Sequence, residues 1–330
     1  MPRTTHRVPL TLVLVTLAAA LASACDAHGP CEEADSSTPP ARDAGMRPAD
    51  ARVPPVGPRD DAAAPAPDAG VMEPPPGCGV PPAPSGAVPI FQDDFETGDL
   101  THSESGFSWR GSQPVSDAYG CSGDHAARFR YGPDAPGEDS QSELRFNLAP
   151  EGTTDIDRVW IEFMLRVPDN FYHRNDVSSD NNKLFSLWAE HYDNRDGDAE
   201  FTYEYIRGSV EGESLPRMSV ITDGDPSTHI GSEHYAVRRD PLIGFADRGR
   251  WVRIGIMALI TDDVTREVAQ VWKDGEKVMA MVGLSSFTPG GSNWLRTGYV
   301  LGWSNSGFTE ETDFYVDDFT VYTADPGWEE

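Results

Sequence analysis

The chain has 330 residues, and 54 Asp and Glu against 26 Lys and Arg give it a formal net charge of −28 at neutral pH. That balance excludes nucleic acid as a partner and argues against docking of the protein surface on an anionic membrane, because both demand a basic face. None of the 32 Phe, Trp and Tyr residues precedes Phe91, so the first quarter of the chain cannot build a core, and one domain is expected over roughly 78–330.

Arg3 and Arg7 precede an uncharged run from Val8 to Ala24 that is short for a membrane span and ends in small residues, the pattern of an export signal over residues 1–24. Leu21-Ala22-Ser23-Ala24-Cys25 resembles the bacterial lipoprotein signal, which implies acylation of Cys25 and contact with a membrane through that lipid alone. Ala22-Ser23-Ala24 also satisfies ordinary secretory cleavage after Ala24. Both readings place the protein outside the cytoplasm, lipid-anchored in the cell envelope or secreted. The four cysteines then allow two arrangements: Cys78–Cys121 with Cys31 left over, or that pair together with Cys25–Cys31.

Residues 25–77 hold 12 Pro and 11 Ala, too little apolar surface to repay ordering. An extended tether with polyproline II character is expected over 25–87, followed by a monomeric folded domain over 88–325. Residues 78–330 carry 20 basic and 44 acidic residues, which is −24 of the −28.

From Val88 onward apolar residues recur with period two, and Gly, Pro, Asn and Asp punctuate them. Ser142 to Leu148, Val159 to Val167 and Val252 to Ile260 read as strands. Val268 to Val282 reads as a hairpin turning at Asp274-Gly275, and Phe314 to Tyr322 as the last strand. No helix of more than two turns is expected. Ten to fourteen strands in one unit predict an all-β, two-sheet jelly-roll sandwich.

The opening Phe91-Gln92-Asp93-Asp94-Phe95-Glu96-Thr97-Gly98-Asp99-Leu100, the Gly249-Arg250-Trp251-Val252 strand leading to Val271-Trp272-Lys273-Asp274-Gly275, and the closing Phe314-Tyr315-Val316-Asp317-Asp318-Phe319 resemble the concanavalin A-like lectin/glucanase superfamily. The resemblance implies a glycan as partner. It also implies a structural calcium where first and last strands meet, with Asp94, Glu96, Asp317 and Asp318 as oxygen ligands.

Ser142-Glu143-Leu144-Arg145 is similar to a motif of the alginate lyases of this superfamily, with Gln141 in place of the leading Arg. That similarity implies Arg145 on a sugar carboxylate, Glu143 orienting it, and Asn147 sharing their face. A lyase also needs a base and an acid. Tyr299 and His191 are the candidates of choice, ahead of Tyr203, Tyr205 and His173. Asn182-Lys183-Leu184-Phe185-Ser186-Leu187-Trp188 is similar to a Lys-Leu segment of lyase-like sandwiches, and simple alternation puts Lys183 and His191 on one face. No Glu-x-Asp-x-Glu string of the laminarinase type occurs, which argues against retaining glycosidase chemistry.

Trp188, Phe201, Tyr203, Tyr205, Tyr299 and Trp303, interleaved with Arg207 and Asn305, form a candidate stacking surface for sugar rings. Together these residues predict a groove for a polysaccharide, with β-elimination of a uronate glycan and a non-catalytic scaffold as alternatives. The charge of −24 disfavours a strongly anionic polymer unless the groove is locally basic.

Overall fold

The structure, a computed structural model, describes residues 77–79, 83–100, 107–111, 113–148, 156–189, 199–221, 234–287 and 289–328. The expected signal, Cys25, Cys31, most of the tether, His191 and the acidic 193–198 loop lie outside the described residues.

The described residues form strands and short 3-10 turns. In chain order the strands are β1 (Phe91–Asp93), β2 (Ser108–Arg110), β3 (Val115–Ser116), β4 (Ala126–Tyr131), β5 (Ser140–Asn147), β6 (Arg158–Arg166), β7 (Asn181–Trp188), β8 (Glu200–Arg207), β9 (Ser214–Ile221), β10 (Tyr235–Arg238), β11 (Trp251–Leu259), β12 (Val268–Lys273), β13 (Glu276–Val282), β14 (Thr297–Ser304) and β15 (Thr312–Tyr322). One sheet runs β10-β13-β12-β11-β6-β15-β4-β3, with β1 also on β15, and the other runs β2-β5-β14-β7-β8-β9. All the pairings between these strands are antiparallel.

Alternation decides which face each strand buries. On β6, Val159, Ile161, Phe163 and Leu165 point inward; on β11, Val252, Ile254, Ile256 and Ala258 do. They meet Leu144 and Phe146 of β5, Phe185 and Leu187 of β7, and Val300 of β14 in one core between the sheets. The fold is therefore the expected two-sheet jelly-roll sandwich. The predicted hairpin turns at Asp274 and Gly275, with φ of 51° and 81°, the paired positive values that match strand twist in a two-residue turn.

Two features fix the first and last described segments. Cys78 and Cys121 form a disulfide, and the last strand reaches both sides of it: Asp317 Oδ2 accepts from Cys121 N at 2.7 Å, and Asp318 Oδ2 from Gly79 N at 2.8 Å. On the outer face of the nine-stranded sheet, Trp328 packs on Trp272 with ring centroids 5.2 Å apart, and Ala83 and Ala87 lie against the same cluster. Ser85 N donates to the Pro326 carbonyl. Packed structure thus begins before Val88 and continues past residue 325, because these segments cover the apolar outer face formed by Trp160, Met257, Leu259 and Tyr322.

Candidate functional site

The burial of Leu144 and Phe146 leaves Glu143, Arg145 and Asn147 on the outer face of the six-stranded sheet. Strand register extends that face sideways. Arg145 is opposite Tyr299 on one side and Arg110 on the other, Tyr299 is opposite Ser186, and Thr297 lies between Asn147 and Trp188. Arg145 Nε donates to Glu143 Oε1 at 2.6 Å, and its guanidinium stands 5.9 Å from the centroid of Trp188. The rings of Trp188 and Tyr299 are 5.7 Å apart. Both are buried yet belong to no core cluster, so they form a floor beneath Arg145.

A pocket of about 450 Å³ opens at the β2–β5 edge, lined by Arg110, Gly111, Gln113, Gln141, Glu143 and Arg145. Gln113 is held in place by donating Nε2 to the Glu143 carbonyl and accepting from Ser142 Oγ, each at 3.2 Å. Trp303, opposite Gln141, keeps part of its ring exposed. The pocket combines two guanidinium groups, two amides and one carboxylate, which suits a polar ligand rich in oxygen.

Farther along the same face is a buried ionic cluster. Glu204 receives Arg217 Nε at 2.7 Å, Asn181 Nδ2 at 2.9 Å, Ser219 Oγ at 3.1 Å and the Lys183 ammonium. Burial pushes the Glu204 carboxyl up, but Lys183 and Arg217 outweigh it and hold the group at about 2. A carboxylate held ionised by two cations is an unsuitable proton donor, and its four partners describe a structural tie between β7, β8 and β9.

The structure changes several expectations. Tyr203 and Tyr205 lie in the core between the sheets, with Tyr203 Oη donating to the Met257 carbonyl of the opposite sheet at 2.7 Å. They are corrected from groove residues to core, because inward alternation with Phe201 on β8 carries them there. Trp188 and Tyr299 do face outward, but as covered rings and not as open stacking platforms; only Trp303 keeps that property. Lys183 shares the outer face with Ser186 and Trp188, because an irregularity between Lys183 and Phe185 shifts the register by one residue. Asn305 sits at the end of the sheet, accepting from Asn181 and donating to Asp139, each at 3.2 Å.

Arg145 and Tyr299 come together, but the described histidines lie elsewhere. His173 is fully buried near Tyr205, His125 neighbours Glu96, and His234 precedes β10 in the other sheet. The carboxylates expected to hold calcium all have protein partners. Asp317 and Asp318 hold the disulfide segments, Glu96 Oε1 accepts from His125 N at 2.8 Å, and Asp94 Oδ1 caps Glu96 N at 3.2 Å. Among the described residues no three His, Cys, Asp or Glu side chains gather as a metal site.

Arg110 and Gln113 are pocket residues that the sequence reading missed. Arg110 ends a strand of three residues, too short to show alternation, and only the pairing of that strand with β5 reveals its face; Gln113 lies in the connection between β2 and β3, outside any strand.

No protein-family model and no curated protein sequence matches the chain. Among solved structures, the chain is similar to alginate lyase vAL-1 from Chlorella virus, at 13% identity and a TM-score of 0.49 over 71% of this chain and 99% of that one. It is also similar to the endo-β-1,4-glucuronan lyase of Trichoderma reesei, at 14% identity and 0.45 over 73% and 99%. A Bacillus subtilis protein with a galectin-like fold matches at 10% identity and 0.40 over 71% and 96%.

Proposed function

We propose that the outer face of the six-stranded sheet binds a glycan, seated in the pocket between β2 and β5. The observation that carries this reading is the 450 Å³ pocket, whose described lining side chains are all polar and able to hydrogen bond, beside the part-exposed Trp303. Sugar hydroxyls match Gln113, Gln141 and Glu143, and the edge of a ring matches Trp303.

A second reading, β-elimination of a uronate polymer, has one observation in its favour. Arg145 and Tyr299 are register partners, so a cation able to neutralise a carboxylate lies next to a phenol.

In this proposal residues 1–24 direct export and Cys25 is acylated, and the Cys78–Cys121 disulfide supports an oxidising compartment. Mass spectrometry of the mature N-terminus tests that part.

The main test is retention of the full chain on immobilised polysaccharides, neutral and uronate-containing, with EDTA and with calcium, while soluble polymer is monitored for the absorbance of unsaturated uronate ends. Retention on at least one polymer, reduced severalfold by Trp303→Ala or Arg145→Ala, is expected. Retention on none sinks the glycan reading, and absence of unsaturated ends across the uronate panel sinks the lyase reading.

A further inference from the structure

The pocket holds a charge arrangement that its protein partners do not explain. Arg110 and Arg145 stand directly opposite each other on β2 and β5, and both line the pocket. Like charges facing each other across a strand pair destabilise a sheet, so such a pair needs compensation. Glu143 supplies it for Arg145 through the 2.6 Å bond to Nε. Arg110 is exposed, and among the described residues it forms no ion pair; in the pocket's carboxylate Glu143 Oε1 is taken by Arg145, and Oε2 is buried without a hydrogen-bond partner and so does not reach Arg110. Among the described lining residues, two cations against one anion make the pocket locally positive in a domain that carries −24.

Distance decides which charge a ligand feels. At physiological ionic strength surface charges are screened over about 8 Å, so a group inside the pocket responds to Arg110 and Arg145 before the distant acidic surface. Guanidinium groups also present N–H donors in a planar fork that fits carboxylate or sulfate oxygens in pairs.

Resting on the glycan reading, we infer that the pocket selects an anionic substituent of the sugar, a carboxylate or a sulfate ester, and that Arg110 is the specificity-determining residue beside Arg145. The exposed Arg110 sets the preference for charge, while Arg145, fixed by Glu143 and seated over Trp188, gives the group its position.

The test compares binding of the full chain to a uronate oligosaccharide and its carboxyl-reduced counterpart, and to a sulfated oligosaccharide and its desulfated counterpart. At least one anionic form should bind tenfold or more tightly than its neutral partner. Arg110→Gln should remove most of that preference and flatten the salt dependence, weakening the anionic form severalfold more than the neutral one, and Arg110→Lys should restore part of it. The carboxylate and sulfate arms distinguish the two sources of charge. Equal binding of both neutral and charged forms, or an equal loss for both in Arg110→Gln, overturns the inference and leaves the glycan reading standing. Binding of no oligosaccharide overturns both.

Discussion

Single side chains divide into those that hold the sheets and those that face a ligand, and substitution separates them. Tyr205→Ala removes a fully buried ring and should cost about 3–5 kcal/mol of stability, measured by denaturant unfolding, while any loss of glycan binding follows unfolding. Trp303→Ala should do the reverse, leaving stability within about 1 kcal/mol and lowering binding. Glu204→Ala strands Lys183 and Arg217 in a buried setting and should cost about 3–5 kcal/mol. Its folded carboxyl sits at about 2, below the ordinary 4.5, so its stabilisation is complete above pH 4.5 and is lost as pH falls toward 2. Asp317 has the opposite sign. Burial first, and then the neighbouring Asp318, push it up to about 7 against the backbone donors that bond it. A raised folded value stabilises most below its unfolded value of 3.8, and that contribution disappears as pH rises through 7. Thermal unfolding between pH 5 and 8 should therefore show a falling contribution that Asp317→Asn flattens.

Among the strands, the long regular ones were legible from the sequence and the irregular ones were not. Val159 to Val167 and Val252 to Ile260 alternate without interruption, so their inward faces follow from period two. Lys183 shows the limit: alternation joins it to Phe185 and Leu187, but the register shift after it sends those two inward and leaves Lys183 outside. A bulge has no reliable mark in a single sequence, because its cause is the pairing of two distant strands. The same holds in β14, where Leu301 and Gly302 adopt φ of 57° and 131°. A Cβ at Gly302 would lie 2.6 Å from the ring of Tyr299, so glycine there lets the ring lie flat on its own strand. Candidate-site residues on β5 were readable because that strand is regular; Arg110 was not, because β2 has no length in which to show a pattern. The disulfide is the Cys78–Cys121 pair common to both arrangements expected from the cysteine positions. It closes a loop of sequence separation 43, for which chain entropy predicts about 4 kcal/mol. Replacing Cys78 and Cys121 together with Ala should lower the midpoint of thermal unfolding and loosen residues 77–79, an outcome that hydrogen exchange of Gly79 N–H reports independently.

At the scale of the molecule, net charge describes solubility and the pocket describes recognition. The −24 of the domain disfavours a strongly anionic polymer unless the groove is locally basic, and the two arginines at the β2–β5 edge bring positive charge to the pocket. The packed termini lie on the nine-stranded sheet, which leaves the pocket's sheet clear of both described ends. A crystal structure of the full chain soaked with an oligosaccharide that it retains tests this account most directly. A sugar is expected between β2 and β5, with an anionic group within hydrogen-bonding distance of Arg110 and Arg145 and a ring edge against Trp303. A sugar bound on the nine-stranded sheet, or on the six-stranded sheet without contact to either arginine, would contradict it.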